Sequence, residues 1–378
     1  MLPDFSLSLP LTPVLFPSAV YAIPDLDALD AIYSGQSPGF IYARDGHPNA
    51  SNLAAKLNQL HGATWGTVCG SGMGAISAAV LPLVQAGSRI VASDKLYGKT
   101  AKLFRELARF GVTAIFVDTN DLAAVDTALS GGAAVLFVET ISNPLCRVCD
   151  LPELSTLAKR HGTKLIVDNT FASPVLCRPL ELGADFVMES LTKIINGHSD
   201  VILGYLGGRD TTLSLPTTGA VSTYGFAANP FDCWLTERSL DTLELRVRTA
   251  TTNAAAVADW LANQPGVKRV VFPGHADHPD HTLAKRLLPN GFGHMLCFEL
   301  VDRDAVNRFM RAATDVPFAP SLGHAHTTCS YPDGTSHRFE SVEEKRRQGI
   351  TSGLVRLSVG CERLGVIQRN LAIGLANG

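Results

Sequence analysis

Lys193 closes the segment Glu189-Ser190-Leu191-Thr192-Lys193, and in an extended chain the Ser190 and Thr192 hydroxyls point to the same side. Two hydroxyls so placed can grip one phosphate. The lysine beside them is either a simple counter-charge or, where burial or neighbouring charge lowers its basicity, an amine able to form a Schiff base. Gly70-Ser71-Gly72-Met73 lies between an apolar run and a segment of helical period. A helix N-terminus offers free N–H groups and a positive dipole end, and glycine admits an anion to the backbone, so this turn is a second candidate phosphate cradle. Taken alone it would read equally as a tight turn. Asp168 ends the apolar run Lys164–Asp168, where an unpaired carboxylate is costly. It reads as a turn or cap residue, or as an acid that keeps a pyridine nitrogen protonated and the ring a good electron sink.

Such residues need a scaffold that gathers the ends of several strands. Strand-like runs occur at Trp65–Cys69, Arg89–Ser93, Thr113–Asp118, Ala133–Glu139, Lys164–Asp168, Ala184–Met188 and Val201–Tyr205. Helix-period segments lie between them, as at Gly74–Leu83 and Leu151–His161. The second offers Asp150 and Glu153 as a capping box ahead of the stripe Leu151, Leu154, Leu157. Alternating units of this kind predict an α/β domain with a mostly parallel sheet covered by helices, and such sheets bind ligands beyond the carboxyl ends of their strands. Residues 1 to 45 read as an extended arm, rich in Pro and aromatics. Residues 46–244 form the large domain. From residue 245 the pattern becomes that of a smaller α+β domain, with a helix at Arg246–Leu261, strands at Val267–Phe272 and His294–Leu300, a helix at Asp304–Ala312 and a strand at Leu354–Val359.

The 378 residues are 46% hydrophobic and 18% charged, enough for a packed core, with a net charge of −3. That balance offers no electrostatic footprint for nucleic acid or an anionic membrane, so the expected partners are a small molecule and copies of the same chain. No apolar run reaches the ~18 residues of a membrane span, and no basic leader opens the chain, so a cytoplasmic protein is expected. The eight scattered cysteines read as buried thiols.

One ordered set of motifs narrows the reading. Ser71-Gly72-Met73, Tyr97-Gly98, Glu139-Thr140-Ile141-Ser142-Asn143-Pro144, Asp168-Asn169-Thr170-Phe171-Ala172-Ser173-Pro174 and Ser190-Leu191-Thr192-Lys193, with the tail Asn196-Gly197-His198-Ser199-Asp200, resemble the Cys/Met-metabolism family of enzymes dependent on pyridoxal 5′-phosphate (PLP). Echoes continue through Pro230-Phe231-Asp232, Phe292-Gly293-His294-Met295-Leu296, Ser321-Leu322-Gly323 and Leu354–Gly360. The resemblance implies PLP fold type I, like aspartate aminotransferase, and a homo-oligomer, commonly a dimer of dimers. It implies a Schiff base on Lys193, Asp168 at the pyridine nitrogen, and Gly72, Met73, Ser190 and Thr192 at the phosphate. Tyr97 would stack on the ring and transfer protons. Asn143, Arg356 and Ser321 would bind the substrate carboxylate, and Tyr42 and Arg44 would reach the neighbouring subunit's phosphate.

The activity so implied is elimination of a β- or γ-substituent from a sulfur-containing amino acid, a carbon–sulfur lyase. The alternative is γ-replacement, as in cystathionine γ-synthases and O-acylhomoserine sulfhydrylases. An aminotransferase and a non-catalytic protein of the same fold are weaker readings. Several positions depart from the family's pattern: Pro320 stands where a Glu often meets a distal ammonium, Lys99 where Gly or Cys is usual, and His324 and His326 follow Ser321-Leu322-Gly323. Cys146 and Cys149 have C-x-x-C spacing, and His275, Asp277, His278, Asp280 and His281 cluster as metal ligands do. The implied chemistry needs no metal, and none is expected.

Overall fold

The computed structural model describes residues 10–338 and 340–377. Seven strands form the larger sheet: β1 (Trp65–Cys69), β2 (Arg89–Ser93), β3 (Thr113–Val117), β4 (Val135–Glu139), β5 (Lys164–Asp168), β6 (Phe186–Ser190) and β7 (Gly204–Gly208). Their order is β1-β7-β6-β5-β4-β2-β3, with β7 antiparallel to both of its neighbours and the other pairs parallel. Four antiparallel strands form the smaller sheet, β8 (Arg269–Val271), β9 (Met295–Glu299), β10 (Thr328–Ser330) and β11 (Leu354–Ser358), in the order β10-β11-β9-β8. The architecture is α/β, a mostly parallel sheet flanked by helices.

Alternation along the strands supplies both faces of the larger sheet. Leu136, Val138, Leu165 and Val187 pack into one core with Leu53 and Leu57 of the helix Pro48–His61. Phe137, Ile166, Phe186 and Met188 pack into the other with Phe104 and Ile76. Burial on both faces is why these runs read as almost continuously apolar. The smaller sheet sets Leu296, Phe298, Val355 and Leu357 against Val257 and Leu261 of the helix Leu243–Ala262. Residue 245, where the sequence pattern changes, lies in the first turn of that helix.

Three local expectations are corrected. The seventh strand begins three residues later than read, at Gly204, because the Leu203 amide donates to the Thr192 hydroxyl at 3.1 Å rather than to a strand. Its three glycines disguise it, yet each allows close packing: side chains at Gly207 and Gly208 would run into Tyr205 and Trp65. Asp150 makes no capping hydrogen bond; its carboxylate pairs with Arg286 across the fold. The arm carries a helix, Leu26–Tyr33, capped by Asp25 through the Ala28 amide at 2.8 Å. None of that helix's residues is buried, although Leu26, Leu29 and Ile32 recur at helical spacing within its eight residues.

Candidate active site

Parallel strands end together, and four of them open onto one cavity of about 810 Å³. β1 leads to Ser71, Gly72 and Met73, β4 ends on Glu139 and leads to Asn143, β5 ends on Asp168, and β6 ends on Ser190. Thr192 and Lys193 follow β6 in a turn, not in the extended segment expected, and both still line the cavity. Tyr97, Ser321 and Arg356 complete the wall. Ten expected positions thus converge. Tyr42 and Arg44 do not line their own chain's cavity; they sit exposed in the arm, the Arg44 guanidinium 5.1 Å from the Tyr42 ring centroid.

At one end the geometry suits a phosphate. Ser71 caps the helix Gly72–Val80 by accepting from the Gly74 amide at 3.0 Å, and the helix's first residues, Gly72 and Met73, line the cavity with their amides free of intrahelical partners. A Cβ at position 72 would lie 2.9 Å from the Ser190 Cβ, so only glycine keeps this cradle open. The Thr170 hydroxyl accepts the Ser190 amide at 2.9 Å and steadies the strand end.

In the middle lies Asp168, half-buried at the end of β5 and open to the cavity. Burial raises its carboxyl to about 6, opposed by the Thr170 amide, which donates to Oδ1 at 3.0 Å. A carboxylate under that strain is stabilised by a cation such as a protonated ring nitrogen. Its register partner on β4 is Glu139. Burial, with the Asp168 charge adding to it, drives the Glu139 carboxyl well above the usual range. Glu139 Oε1 accepts the Tyr97 amide at 2.7 Å and Oε2 the Asn143 amide at 3.2 Å. One acid therefore holds the bases of two other site residues. The sequence reading assigned Glu139 no role, although it ends a buried strand just as Asp168 does.

Lys193 has its amine 2.9 Å from Ser321 Oγ. Burial, then the charge of Arg356, pulls its ammonium down to about 8. Arg356 is 4% exposed and donates Nη1 to Asn143 Oδ1 at 2.7 Å and Nη2 to the Ser321 carbonyl at 3.0 Å. Among the described residues no carboxylate stands within ion-pair distance of it. A buried guanidinium without a counter-charge is poised for an anionic ligand. The Tyr97 phenol is raised, chiefly by burial, and partly restored by Arg356. It remains a proton donor at neutral pH.

The family model for Cys/Met metabolism PLP-dependent enzymes matches residues 10–376. The chain belongs to that family. It is 36% identical over 364 residues to the O-succinylhomoserine sulfhydrylase of Pseudomonas aeruginosa, covering 96% of this chain and 90% of that protein. It is 38% identical over 322 residues to the cystathionine β-lyase of Bacillus subtilis, covering 85% and 82%. The crystal structure of cystathionine γ-synthase from Xanthomonas oryzae superposes with a TM-score of 0.92 at 35% identity, covering 97% of this chain and 93% of that one. This is therefore a PLP-dependent enzyme of fold type I, from a family that contains both lyases and γ-replacement enzymes. The glycine-walled cradle, the buried acid and the lysine of lowered basicity fit the phosphate, ring nitrogen and aldehyde of PLP respectively.

The remaining positions divide. Lys99 and Pro320 line the cavity, together with Lys102, which the sequence reading passed over. His324 lies outside it, its ring bonded to Ser199 Oγ at 2.7 Å and lowered to about 4 by burial, then Lys193 and His326. His326 is exposed. His275 meets Asp259 at 3.1 Å, His281 the Pro273 carbonyl at 3.0 Å, and Asp280 forks onto Arg147 at 2.6 and 3.0 Å. His278 Nδ1 accepts from the Asp280 amide at 3.2 Å, and Asp277 stands in the same connection. Cys146 and Cys149 are both buried, with Cys149 Sγ 3.1 Å from the Thr119 hydroxyl.

Proposed function

We propose that the chain eliminates a β- or γ-substituent from a sulfur-containing amino acid, with Arg356 binding the α-carboxylate and Lys193 moving the Cα proton. The observation that carries this reading is the convergence of Lys193 and Arg356 on Ser321, one on its hydroxyl and the other on its carbonyl. An amino acid whose carboxylate meets the Arg356 fork, beside the Asn143 amide, has its Cα within reach of the Lys193 amine. PLP, when bound, supplies the electron sink that makes the Cα proton acidic. Lys193, whose basicity is already reduced, accepts that proton and can return it elsewhere on the substrate. Tyr97 carries a phenolic proton at the cavity mouth and can protonate a departing thiolate or carboxylate. Asp168 keeps the ring nitrogen protonated, and Gly72, Met73, Ser190 and Thr192 hold the phosphate.

A specific observation favours γ-replacement as the second reading. Lys99 and Lys102 face the cavity from the helix Gly98–Glu106 and form no ion pair among the described residues, which suits an acyl group ending in a carboxylate. The neighbouring Arg105 is directed to Glu344 at 3.6 Å, and the acids Glu106 and Glu340 also border this wall. Each candidate, cystathionine, homocysteine, methionine and O-acylhomoserines, is incubated with and without an added thiol while ammonia, 2-oxo acid and thiol are measured. Ammonia and 2-oxo acid in equal amounts without a thiol support elimination. Turnover of an acylhomoserine only when a thiol is present supports replacement and overturns the first reading.

The enzyme acts as a homo-oligomer in this proposal, with Tyr42 and Arg44 completing a partner's phosphate site. The exposed apolar side chains of the arm, Leu11, Val20, Leu26 and Tyr33, supply a surface for another copy. No helix among the described residues is long and apolar enough to cross a membrane, and the eight unpaired cysteines fit a reducing cytoplasm.

A further inference from the structure

Directly behind Asp168 lies a polar cluster that the chemistry above does not use. Glu189, the penultimate residue of β6, and His61, the last residue of the helix Pro48–His61, are both wholly inaccessible, with Nε2 and Oε1 3.3 Å apart. The imidazole stacks on Tyr205, ring centroids 5.2 Å apart and 11° from parallel, and Tyr205 in turn donates to Asn58 on the same helix. Glu189 Oε1 also accepts from Asn169 Nδ2 at 3.0 Å. That amide donates again to the Cys177 carbonyl at 3.0 Å, while Asn169 Oδ1 accepts from the Thr140 hydroxyl at 2.7 Å. Asn169 follows Asp168 and Thr140 follows Glu139, so the cluster reaches the ends of β4, β5 and β6 at once. Along the backbone, the Asn169 amide donates to the Met188 carbonyl at 2.9 Å and the Thr140 amide to the Asp168 carbonyl at 3.0 Å.

We propose that Glu189, packed against His61, is a positioning residue that clamps the Asn169 side chain and thereby fixes the Asp168 carboxylate at the ring-nitrogen end of the cofactor site. Asp168 ends its strand, and among the described residues the side-chain restraint on its turn besides Thr170 comes through Asn169. Every group of the clamp is out of contact with water, so a lost partner cannot be replaced by solvent. The cluster also manages charge. Three acids lie at the ends of adjacent strands, Glu139 and Asp168 last in theirs and Glu189 one residue before the end, and burial raises the Glu189 carboxyl, with Asn169 opposing and the Asp168 charge adding. His61 is the imidazole that meets this group, itself lowered to about 3 by burial and then by Arg178. The proposal rests on the assignment of Asp168 to the ring nitrogen and is independent of whether elimination or replacement follows.

The test uses holoenzyme and two readouts, the cofactor dissociation constant and the pH midpoint of the bound cofactor's visible band. Glu189→Leu removes the acceptor for Asn169, and about a ten-fold rise in the dissociation constant is expected, with a displaced midpoint. Glu189→Gln still offers an oxygen to Asn169 and should restore most of both. His61→Phe keeps the stack on Tyr205 while leaving Glu189 without its neighbour; it should move the midpoint in the same sense, and it serves if the Leu variant does not fold. A folded Glu189→Leu or His61→Phe protein with a lowered Tm but parental midpoint and affinity would mean a merely structural pair and overturn the proposal. So would a Gln variant as impaired as the Leu variant. Asp168→Asn is measured in parallel: if it too leaves the midpoint unchanged, the assignment of Asp168 fails rather than the clamp alone.

Discussion

Replacing Arg356 with alanine should damage substrate capture while sparing the cofactor. The guanidinium is 4% exposed, donates to Asn143 and to the Ser321 carbonyl, and has no acidic partner among the described residues, so its charge is available to a substrate carboxylate. A hydrogen bond to a charged group contributes about 1.5–3 kcal/mol, which at ~1.4 kcal/mol per decade predicts roughly a ten- to hundred-fold loss in kcat/KM. A second consequence follows from electrostatics. Arg356 is the lesser cause, after burial, of the lowered basicity of Lys193, so its removal should raise the Lys193 pKa and move the rate profile toward higher pH. Cofactor content should be unchanged, because the phosphate cradle at Gly72 and Ser190 is built from other elements. Arg356→Lys keeps the charge and loses the fork, and should fall between the two. The assay is steady-state kcat/KM across pH with cofactor content measured by absorbance. Parental kcat/KM in a folded, PLP-loaded Arg356→Ala enzyme would refute the carboxylate assignment.

Other outcomes follow from the same geometry. In the cofactor-free protein Lys193 titrates near 8 instead of 10.5, so its ammonium is penalised on folding and stability should rise as pH climbs from about 8 to about 10.5. Lys193→Met should lack that rise, exceeding the parent near neutral pH by a margin that narrows toward pH ~10.5 in denaturant titrations. Mixing inactive Arg44→Ala with inactive Lys193→Ala subunits should restore partial activity through one intact composite site; no recovery despite demonstrated subunit exchange would remove the arm from the partner's phosphate. Pro320→Glu places a carboxylate in the cavity wall and should raise kcat/KM for cystathionine, with its distal ammonium, by about ten-fold relative to homocysteine and O-acylhomoserines. An unchanged ratio would mean that Pro320 does not set this preference.

Much of the site was legible because parallel strands deliver their chemistry at their ends. Asp168 terminates one apolar run and Ser190 lies two residues beyond the end of another, and polar residues at such places are conspicuous. The ordered motifs then related Lys193, Asn143 and Arg356 across distances that no spacing rule covers. Glu139 and Glu189 went unassigned because their work is done on the backbone of Tyr97 and Asn143 and on the amide of Asn169. Such contacts depend on strand order, which places β4, β5 and β6 side by side, and strand order is not written locally. His61 is more distant still, since it meets Glu189 only when the helix before β1 packs on the sheet. The late start of β7 was hidden by glycines that serve close packing rather than β propensity. The helix of the arm spans only eight residues, too few for its Leu26, Leu29 and Ile32 spacing to stand out in a Pro-rich segment.

Three lysines border the cavity, Lys99, Lys102 and Lys193, and the account assigns the cofactor linkage to one of them. Lys193 has its basicity pulled down to about 8 by burial and Arg356, and its amine lies 2.9 Å from Ser321 Oγ. Borohydride reduction of the yellow holoenzyme, followed by peptide mapping, reports the lysine directly. Loss of the visible band and a pyridoxyl mass increment on the peptide containing Lys193 are expected. The same increment on the peptides carrying Lys99 or Lys102, with Lys193 unmodified, would contradict the assignment.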